Sequence, residues 1–316
     1  MSVEIFFLGT NASTPHKYRN LPSVVIRRKG LLYMFDCGEG AQYRFLRSGL
    51  GVNKRMHVFI SHLHGDHVFG LPGMLHTFSL MGRREPLFIY GPKGTKEFVK
   101  CVLTKVPCGI GYSIYVRDLE EGIALESREL VIKAIRAKHT LTNFAYVFEE
   151  KPKPGRFDRE KALKLGVPEG PLWRKLQYGK AVKSVYGTIV RPEDVLGPPR
   201  PGIKVVYTGD TAYCERVVEA ARGADVLIHD ATFDSEKARD ALETGHSTAA
   251  QAARAALESR AKFLFLFHYS SRYSDLSELL QQAREIFRRT YLSEDGLKVE
   301  IRKKDGSVYL LFSEYL

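Results

Sequence analysis

The densest chemistry in the chain lies in Ser61-His62-Leu63-His64-Gly65-Asp66-His67, where three histidines and one aspartate fall within six residues. Imidazoles crowded in this way repel one another when protonated, whereas a bound cation keeps them neutral and offsets their desolvation. The apolar run Val58-Phe59-Ile60 precedes the cluster, so the four side chains leave a strand end in a tight loop. Gly65 is read as the residue that lets this loop fold back on itself. A first-row metal wants about four to five partners. Three further residues stand in the same relation to a strand: His139 after residues 131–137, Asp210 after Val205-Val206-Tyr207, and His268 after residues 263–267. Singly, each could be an ordinary surface or core residue. Together they point to one composite site at one edge of the sheets.

The strands that carry these loops are read at residues 4–8, 23–27, 31–35, 58–60 and 87–90, with short helices at 71–80 and 94–106. The pattern resumes with strands at 131–137, 145–149, 205–207, 226–229 and 262–268, and helices at 248–259 and 275–290. Strands and helices mixed in this way predict an α/β protein with helices covering the sheets. No internal repeat or long low-complexity tract interrupts the pattern.

A chain of 316 residues suffices for a large core, as one large domain or two ordinary ones, and 44% hydrophobic with 27% charged residues fits a globular protein. No apolar run approaches the ~20 residues of a membrane span. The first residues carry no basic region followed by a sustained apolar stretch, so no secretory signal is expected. Cys37, Cys101, Cys108 and Cys214 form no CxxC pair and are read as small thiols of a reducing compartment, not as a disulfide framework or a cysteine zinc site. Four Asn and five Gln beside abundant Lys, Arg and Glu hint at a hot habitat. The net charge of +12 favours a polyanionic partner, usually nucleic acid. Much of that excess is local. Residues 151–187 are punctuated by Pro and Gly, and between 151 and 183 ten basic residues face three acidic ones. An inserted basic arm for a polyanion is the favoured reading; a solvated surface insertion is the alternative.

HxHxDH, a distal His, an Asp after a strand and a last His together resemble the metallo-β-lactamase superfamily. The resemblance implies a four-layer αββα sandwich, residues 1–316 forming a single domain with the arm at 151–187 inserted. It implies one metal held by His62, His64, His139 and Asp210, and a second by Asp66, His67 and His268 with Asp210 shared. Imidazole and carboxylate ligands suit zinc, with iron or manganese as alternatives. Two metals about 3.5–4 Å apart lower the pKa of a water between them and neutralise charge on a scissile phosphate. Asp66 is the residue expected to accept that water's proton.

Five further features resemble the short form of the tRNase Z (ribonuclease Z) family. Pro15-His16-Lys17-Tyr18-Arg19-Asn20 is similar to its PxKxRN loop, His229-Asp230-Ala231-Thr232-Phe233 to its HEAT motif, and His246-Ser247-Thr248 to its HST loop. His268-Tyr269-Ser270-Ser271-Arg272-Tyr273 resembles its phosphate-binding strand exit, and the basic insertion its flexible substrate arm. The resemblance spans essentially the whole chain. It implies a zinc-dependent endoribonuclease that cuts precursor tRNA after the discriminator base, leaving a tRNA 3′-hydroxyl and a trailer 5′-phosphate. Two Zn2+ per subunit, a homodimer and a cytoplasmic setting come with it. His246, polarised by Asp230, is expected to protonate the leaving oxygen. Lys17, Arg19, Asn20, Ser270 and Arg272 are expected to touch substrate near the cut, and Arg156, Arg174 and Lys175 to do so on the arm.

One position departs from the family: residue 230 is Asp where Glu is common, one methylene shorter in reach. Ser247 or Thr248 also suits a helix N-cap, which is compatible with substrate contact, and His229 an ordinary strand-end histidine. Asp36 is expected to brace the metal loop through hydrogen bonds, with a plain turn aspartate as the alternative. His16, His57 and His76 match no ligand slot. Two other functions compete. A small-molecule phosphodiesterase or arylsulfatase leaves the basic arm unexplained, and a non-catalytic RNA-binding protein with a structural metal has no use for a bridging Asp210 or for His246.

Overall fold

The computed structural model describes residues 2–107, 109–304 and 306–315, so Cys108 lies outside the described residues. The chain separates into two compact units: Met1–Glu149 with Ile203–Leu316, and Glu150–Gly202.

The larger unit holds two sheets. The eight-stranded sheet runs, in spatial order, Ser307–Glu314, Leu297–Lys304, Val3–Gly9, Ser23–Arg28, Leu31–Phe35, Met56–Phe59, Leu87–Gly91 and Ile114–Asp118. The seven-stranded sheet runs Thr290–Leu292, Phe263–Phe267, Val226–Asp230, Lys204–Tyr207, Asn143–Glu150, Leu130–Ala137 and Gly122–Glu126. Its central strands are near-continuous runs of Val, Ile, Leu and Phe because both faces are covered. Phe7, Phe35, Phe59, Tyr146, Phe148, Tyr207 and Phe265 share one core between the two sheets. Each fully buried phenyl ring there contributes ~1.5–3 kcal/mol relative to exposure. Behind the eight-stranded sheet, helices Ala41–Arg47, Gly70–Leu80 and Thr95–Lys105 supply Phe45, Leu71, Met74, Phe78 and Val99 to a second core. Behind the seven-stranded sheet, the alanine face of Ala249–Glu258 and Leu279 and Ala283 of Ser277–Ile286 form a third. The layers are therefore helix, sheet, sheet, helix, as expected.

This topology gathers the chemistry at one edge. Leu31–Phe35 and Met56–Phe59 are parallel, with Phe35 opposite Phe59, so Asp36 and the His62 loop leave their sheet side by side. In the other sheet, Lys204–Tyr207, Val226–Asp230 and Phe263–Phe267 are parallel, with Tyr207 opposite Ile228 and Asp230 opposite Phe267. Leu130–Ala137 runs the same way, two antiparallel steps removed. Asp210, Asp230, His268 and His139 thus all lie at or just beyond carboxyl ends of strands, where open α/β sheets place ligands.

The smaller unit has its own core of Ala162, Val167, Trp173, Leu176, Val182, Val190 and Val195. Helices Arg159–Lys164, Pro171–Gln177 and Pro192–Val195 and a ribbon of Val182–Lys183 with Ile189–Val190 build it. Asp158 caps the first helix through Lys161 N, and Trp173 Nε1 donates to the Val167 carbonyl. The unit extends beyond the expected 151–187 because two of its core side chains, Val190 and Val195, come later in the chain. It is an insertion between strands that are neighbours, Glu149 lying opposite Lys204 in the ladder.

Candidate metal centre

The metal loop begins where Met56–Phe59 ends. Ser61 is anchored by its carbonyl, which accepts from Phe144 N (2.9 Å), and by its N–H and hydroxyl, which donate to Asp36 at 2.6 and 2.7 Å. A short helical turn, Gly65–Val68, carries Asp66 and His67. Gly65 has no unusual backbone angle, and a Cβ there would lie 2.3 Å from the exposed Phe69 ring, which would have to swing aside. Gly209 is needed for both backbone angle and space, with φ at +59° and a notional Cβ 2.7 Å from the Ser61 Cβ. Asn143 Nδ2 ties down the same loop by donating to the carbonyls of Thr208 (3.1 Å) and Asp210 (2.6 Å).

The seven expected ligands converge as two groups that share Asp210, the donor atoms of each group lying within 4.8 Å of one another. In the first, His62 Nε2 and His64 Nδ1 are 2.9 Å apart and His139 Nε2 is 3.2 Å from His64 Nδ1. Asp210 Oδ2 faces this group, 3.5 Å from His62 Nε2 and 3.9 Å from His139 Nε2. In the second, His67 Nε2 and His268 Nε2 are 3.4 Å apart, and each is 3.2 Å from Asp210 Oδ1. Asp66 Oδ2 completes it at 3.6 Å from His67 and 3.5 Å from His268.

This donor set fits a pair of cations. Asp210 Oδ1 is buried and accepts no hydrogen bond, so its short approaches to His67 and His268 are not aligned as bonds. A buried acceptor without a donor is costly, and a cation is the partner such an oxygen lacks. Burial, reinforced by His67, pushes the His62 pKa well down, which leaves the ring neutral and able to ligate.

Side chains behind the ligands fix their orientation. His67 Nδ1 donates to Asp36 Oδ2 at 2.7 Å, leaving Nε2 for the centre, and Tyr207 OH donates to the same oxygen at 2.7 Å. Burial alone would lower the His67 pKa, but Asp210 and Asp36 outweigh it and raise it well above the usual value. His139 Nδ1 donates to the Gly245 carbonyl (2.8 Å), and His62 Nδ1 lies 3.0 Å from Ser61 Oγ. Asp36 is therefore a brace for the loop and not a plain turn residue.

His246 lies beside the second group, its ring stacked on His268 at 5.2 Å, and its Nδ1 donates to Asp230 Oδ2 at 2.8 Å. The shorter carboxylate reaches its partner directly. Burial opposes the charged ring, but Asp230 overrides it and lifts the His246 pKa to about 9. Asp230 is fully enclosed, also accepting from Thr211 N, Thr232 N and Thr232 Oγ1. Ser247 and Thr248 are buried: Ser247 Oγ donates to the Thr211 carbonyl, and Thr248 caps helix Ala249–Glu258 in a reciprocal box with Gln251. The capping role is the one the geometry carries. His229 is buried in its strand with Nε2 unpartnered, and points to neither ligand group.

The expected substrate residues divide. Lys17 is exposed, with its ammonium 5.0 Å from the Tyr18 ring centre, and Ser270 Oγ accepts from exposed Arg272 at 3.1 Å. Arg272 also stacks over Phe233 and faces Asp240 at 3.6 Å. Arg19 differs from the expectation. It is only 8% exposed, and its guanidinium donates to Asn11 Oδ1 and the Tyr273 carbonyl, joining two loops instead of presenting itself to solvent. Asn20 donates its N–H to Asp295 Oδ2 at 2.6 Å. Arg156, Arg174 and Lys175 are exposed in the smaller unit. Ser61, Asn143, Tyr207, Thr232 and the Ser13 N–H, which donates to Asp66 Oδ2 at 2.8 Å, are site residues the sequence reading did not assign.

Comparison with known proteins agrees with this geometry. Residues 180–269 match a family model described as a beta-lactamase superfamily domain, and residues 3–150 match one described as anti-Pycsar protein Apyc1. Ribonuclease Z of Methanosarcina mazei is 44% identical over 300 residues, covering 95% of this chain and 98% of the relative. Ribonuclease Z of Methanothermobacter thermautotrophicus is 41% identical over 305 residues, covering 96% and 99%. The crystal structure of human tRNase Z, short form, superposes with a TM-score of 0.68 at 27% identity, covering 93% of this chain and 98% of that one. With relatives at 41% and 44% identity matched over 96% and 95% of its length, the chain belongs to the ribonuclease Z family.

Proposed function

We propose that this chain is the endoribonuclease that removes 3′ trailers from precursor tRNA, using two zinc ions held by the sets that share Asp210. The observation that carries the reading is the convergence of seven ligands beside an Asp230-braced His246, in a chain of the ribonuclease Z family. When bound, the two ions lower the pKa of a water and neutralise charge on the scissile phosphate. Asp66, its Oδ2 fixed by the Ser13 N–H, accepts the proton of the attacking water. His246 holds its proton at neutral pH, and with Nδ1 engaged by Asp230 it offers Nε2 to the departing 3′-oxygen. The tRNA then ends in a 3′-hydroxyl and the trailer begins with a 5′-phosphate.

The smaller unit is the tRNA-gripping arm in this reading, with Arg156, Arg174 and Lys175 contacting backbone phosphates. Lys17, Ser270 and Arg272 contact the substrate near it, and Arg19 and Asn20 shape the loop that presents Lys17. Resemblance to the family supports a homodimer in which one subunit's arm holds the tRNA cut by the other, and a cytoplasmic setting. Among the described residues no helix is long and apolar enough to cross a membrane.

The test compares wild type and Asp66→Ala on precursor tRNA and on bis(p-nitrophenyl) phosphate, with and without chelator. Chelator-sensitive turnover of both substrates, and RNA binding without cleavage by Asp66→Ala, are the expected results. Diester hydrolysis with the RNA left intact would move the substrate to a small molecule.

A further inference from the structure

Thr232 is only 4% exposed, and its hydroxyl sits between the Asp230–His246 pair and a metal-ligand histidine. Its oxygen is 2.7 Å from Asp230 Oδ1 and 2.9 Å from His268 Nδ1. A hydroxyl has one hydrogen to give. An ionised carboxylate only accepts, so that hydrogen points to Asp230 and the oxygen's lone pairs face His268. The one partner that completes the chain is a proton on His268 Nδ1. In a neutral His268 that tautomer leaves Nε2 bare, the nitrogen 3.2 Å from Asp210 Oδ1 and 3.5 Å from Asp66 Oδ2.

The backbone that carries this ring is itself held in place. His268 has φ at +64°, a sparsely populated region for a residue with a Cβ. It is clamped on both sides, Ala231 N donating to the Phe267 carbonyl at 2.8 Å and Tyr269 N to that of Thr10 at 3.0 Å. Asp230 meanwhile takes His246 on its other oxygen, so one carboxylate serves both histidines, one directly and one through a hydroxyl.

We infer that Thr232 is a positioning residue: its hydroxyl links the Asp230 carboxylate to His268 Nδ1 and holds that imidazole with Nε2 turned to Asp66, His67 and Asp210. The inference rests on the two-metal reading of the site. Partners behind a ligating imidazole fix its tautomer and orientation, and losing one typically weakens metal binding ~10–100-fold.

The test uses Thr232→Val, which keeps the shape and removes the hydroxyl, and Thr232→Ser, which keeps the hydroxyl. Zinc stoichiometry and affinity by chelator competition, and the absorption spectrum of the cobalt-substituted protein, are read without any RNA. Thr232→Val should bind one of its two ions ~10–100-fold more weakly with an altered cobalt spectrum, and Thr232→Ser should restore both. A Thr232→Val protein with two wild-type affinities, or a Thr232→Ser protein as impaired as Thr232→Val, overturns the inference alone. A wild type that binds no zinc overturns the two-metal reading and the inference with it. Should Thr232→Val fail to fold, nitrogen-detected NMR of the zinc-loaded wild type decides: a protonated His268 Nδ1 supports the link, and an unprotonated Nδ1 overturns it.

Discussion

Replacing Asp36 by Asn probes how much of the metal loop's order comes from a single carboxylate. Asp36 is 0% exposed and has φ at +57°, a conformation Asn also tolerates, so the change leaves size and backbone alone. Its Oδ1 accepts from Ser61 N, and its Oδ2 from Ser61 Oγ, His67 Nδ1 and Tyr207 OH, all within 2.6–2.7 Å. An amide nitrogen facing Oδ2's three donors is the worse orientation. Turned the other way, it leaves the buried Ser61 N–H without an acceptor, at ~1–3 kcal/mol. The remaining three bonds lose the charge that roughly doubles their strength, about 1 kcal/mol apiece. Relief from burying a carboxylate offsets part of this. The net expectation is about 3 kcal/mol of lost stability in urea unfolding of the metal-free protein. Zinc should bind ~10–100-fold more weakly, because His67 Nδ1 no longer meets a carboxylate. Wild-type zinc affinity in a folded Asp36→Asn protein would show that packing, not this carboxylate, orients His67.

Three further outcomes follow from the same geometry. Burial, only partly offset by bonds from Asn20 N and Thr10, raises the Asp295 pKa to about 6 from its ordinary 3.8. The folded state therefore holds this proton more tightly than the unfolded one, and stability is lost as pH rises through that window. Measured by urea unfolding, Asp295→Asn should gain stability relative to wild type between pH 4 and pH 6 and show no further gain above it; a pH-independent difference would contradict the assignment. Replacing Arg156, Arg174 and Lys175 together by Gln should lower the slope of log affinity for tRNA against log salt by about 2–3 while leaving bis(p-nitrophenyl) phosphate turnover unchanged. Equal loss of both would count against the arm. His246→Ala should keep both zinc affinities and lose ~10²–10⁴-fold in the rate of RNA cleavage under single-turnover conditions, as expected for a lost general acid.

The residues that converge at the candidate metal centre were legible because local chemistry marks them: four sit in one heptapeptide, and His139, Asp210 and His268 each follow an apolar strand. Their supports were not, because they come from far along the chain. Tyr207 reaches Asp36 across 171 positions, and Asn143 reaches the Asp210 carbonyl across 67. Neither residue type announces such a role. Arg19 is expected to touch substrate because its loop resembles that of the family, and only the folded positions of Asn11 and Tyr273 show that its guanidinium is taken. The central strands were readable as apolar runs. Strands at or near sheet edges, Ile114–Asp118, Gly122–Glu126 and the hairpin Leu297–Lys304 with Ser307–Glu314, keep mixed or exposed patterns and carry no such signal. In the smaller unit the helices are six, seven and four residues long, too short for a helical period to emerge from a basic, Pro- and Gly-rich segment.

The residue groups that share Asp210, with His246 beside them, are proposed to cut precursor tRNA at one bond. Incubating the zinc-loaded protein with a 3′-extended precursor tRNA and mapping both new ends tests this most directly. The account predicts a single cut after the discriminator base, with a 3′-hydroxyl on the tRNA and a 5′-phosphate on the trailer. Cuts scattered along the RNA, or a phosphate left on the tRNA end, would contradict it.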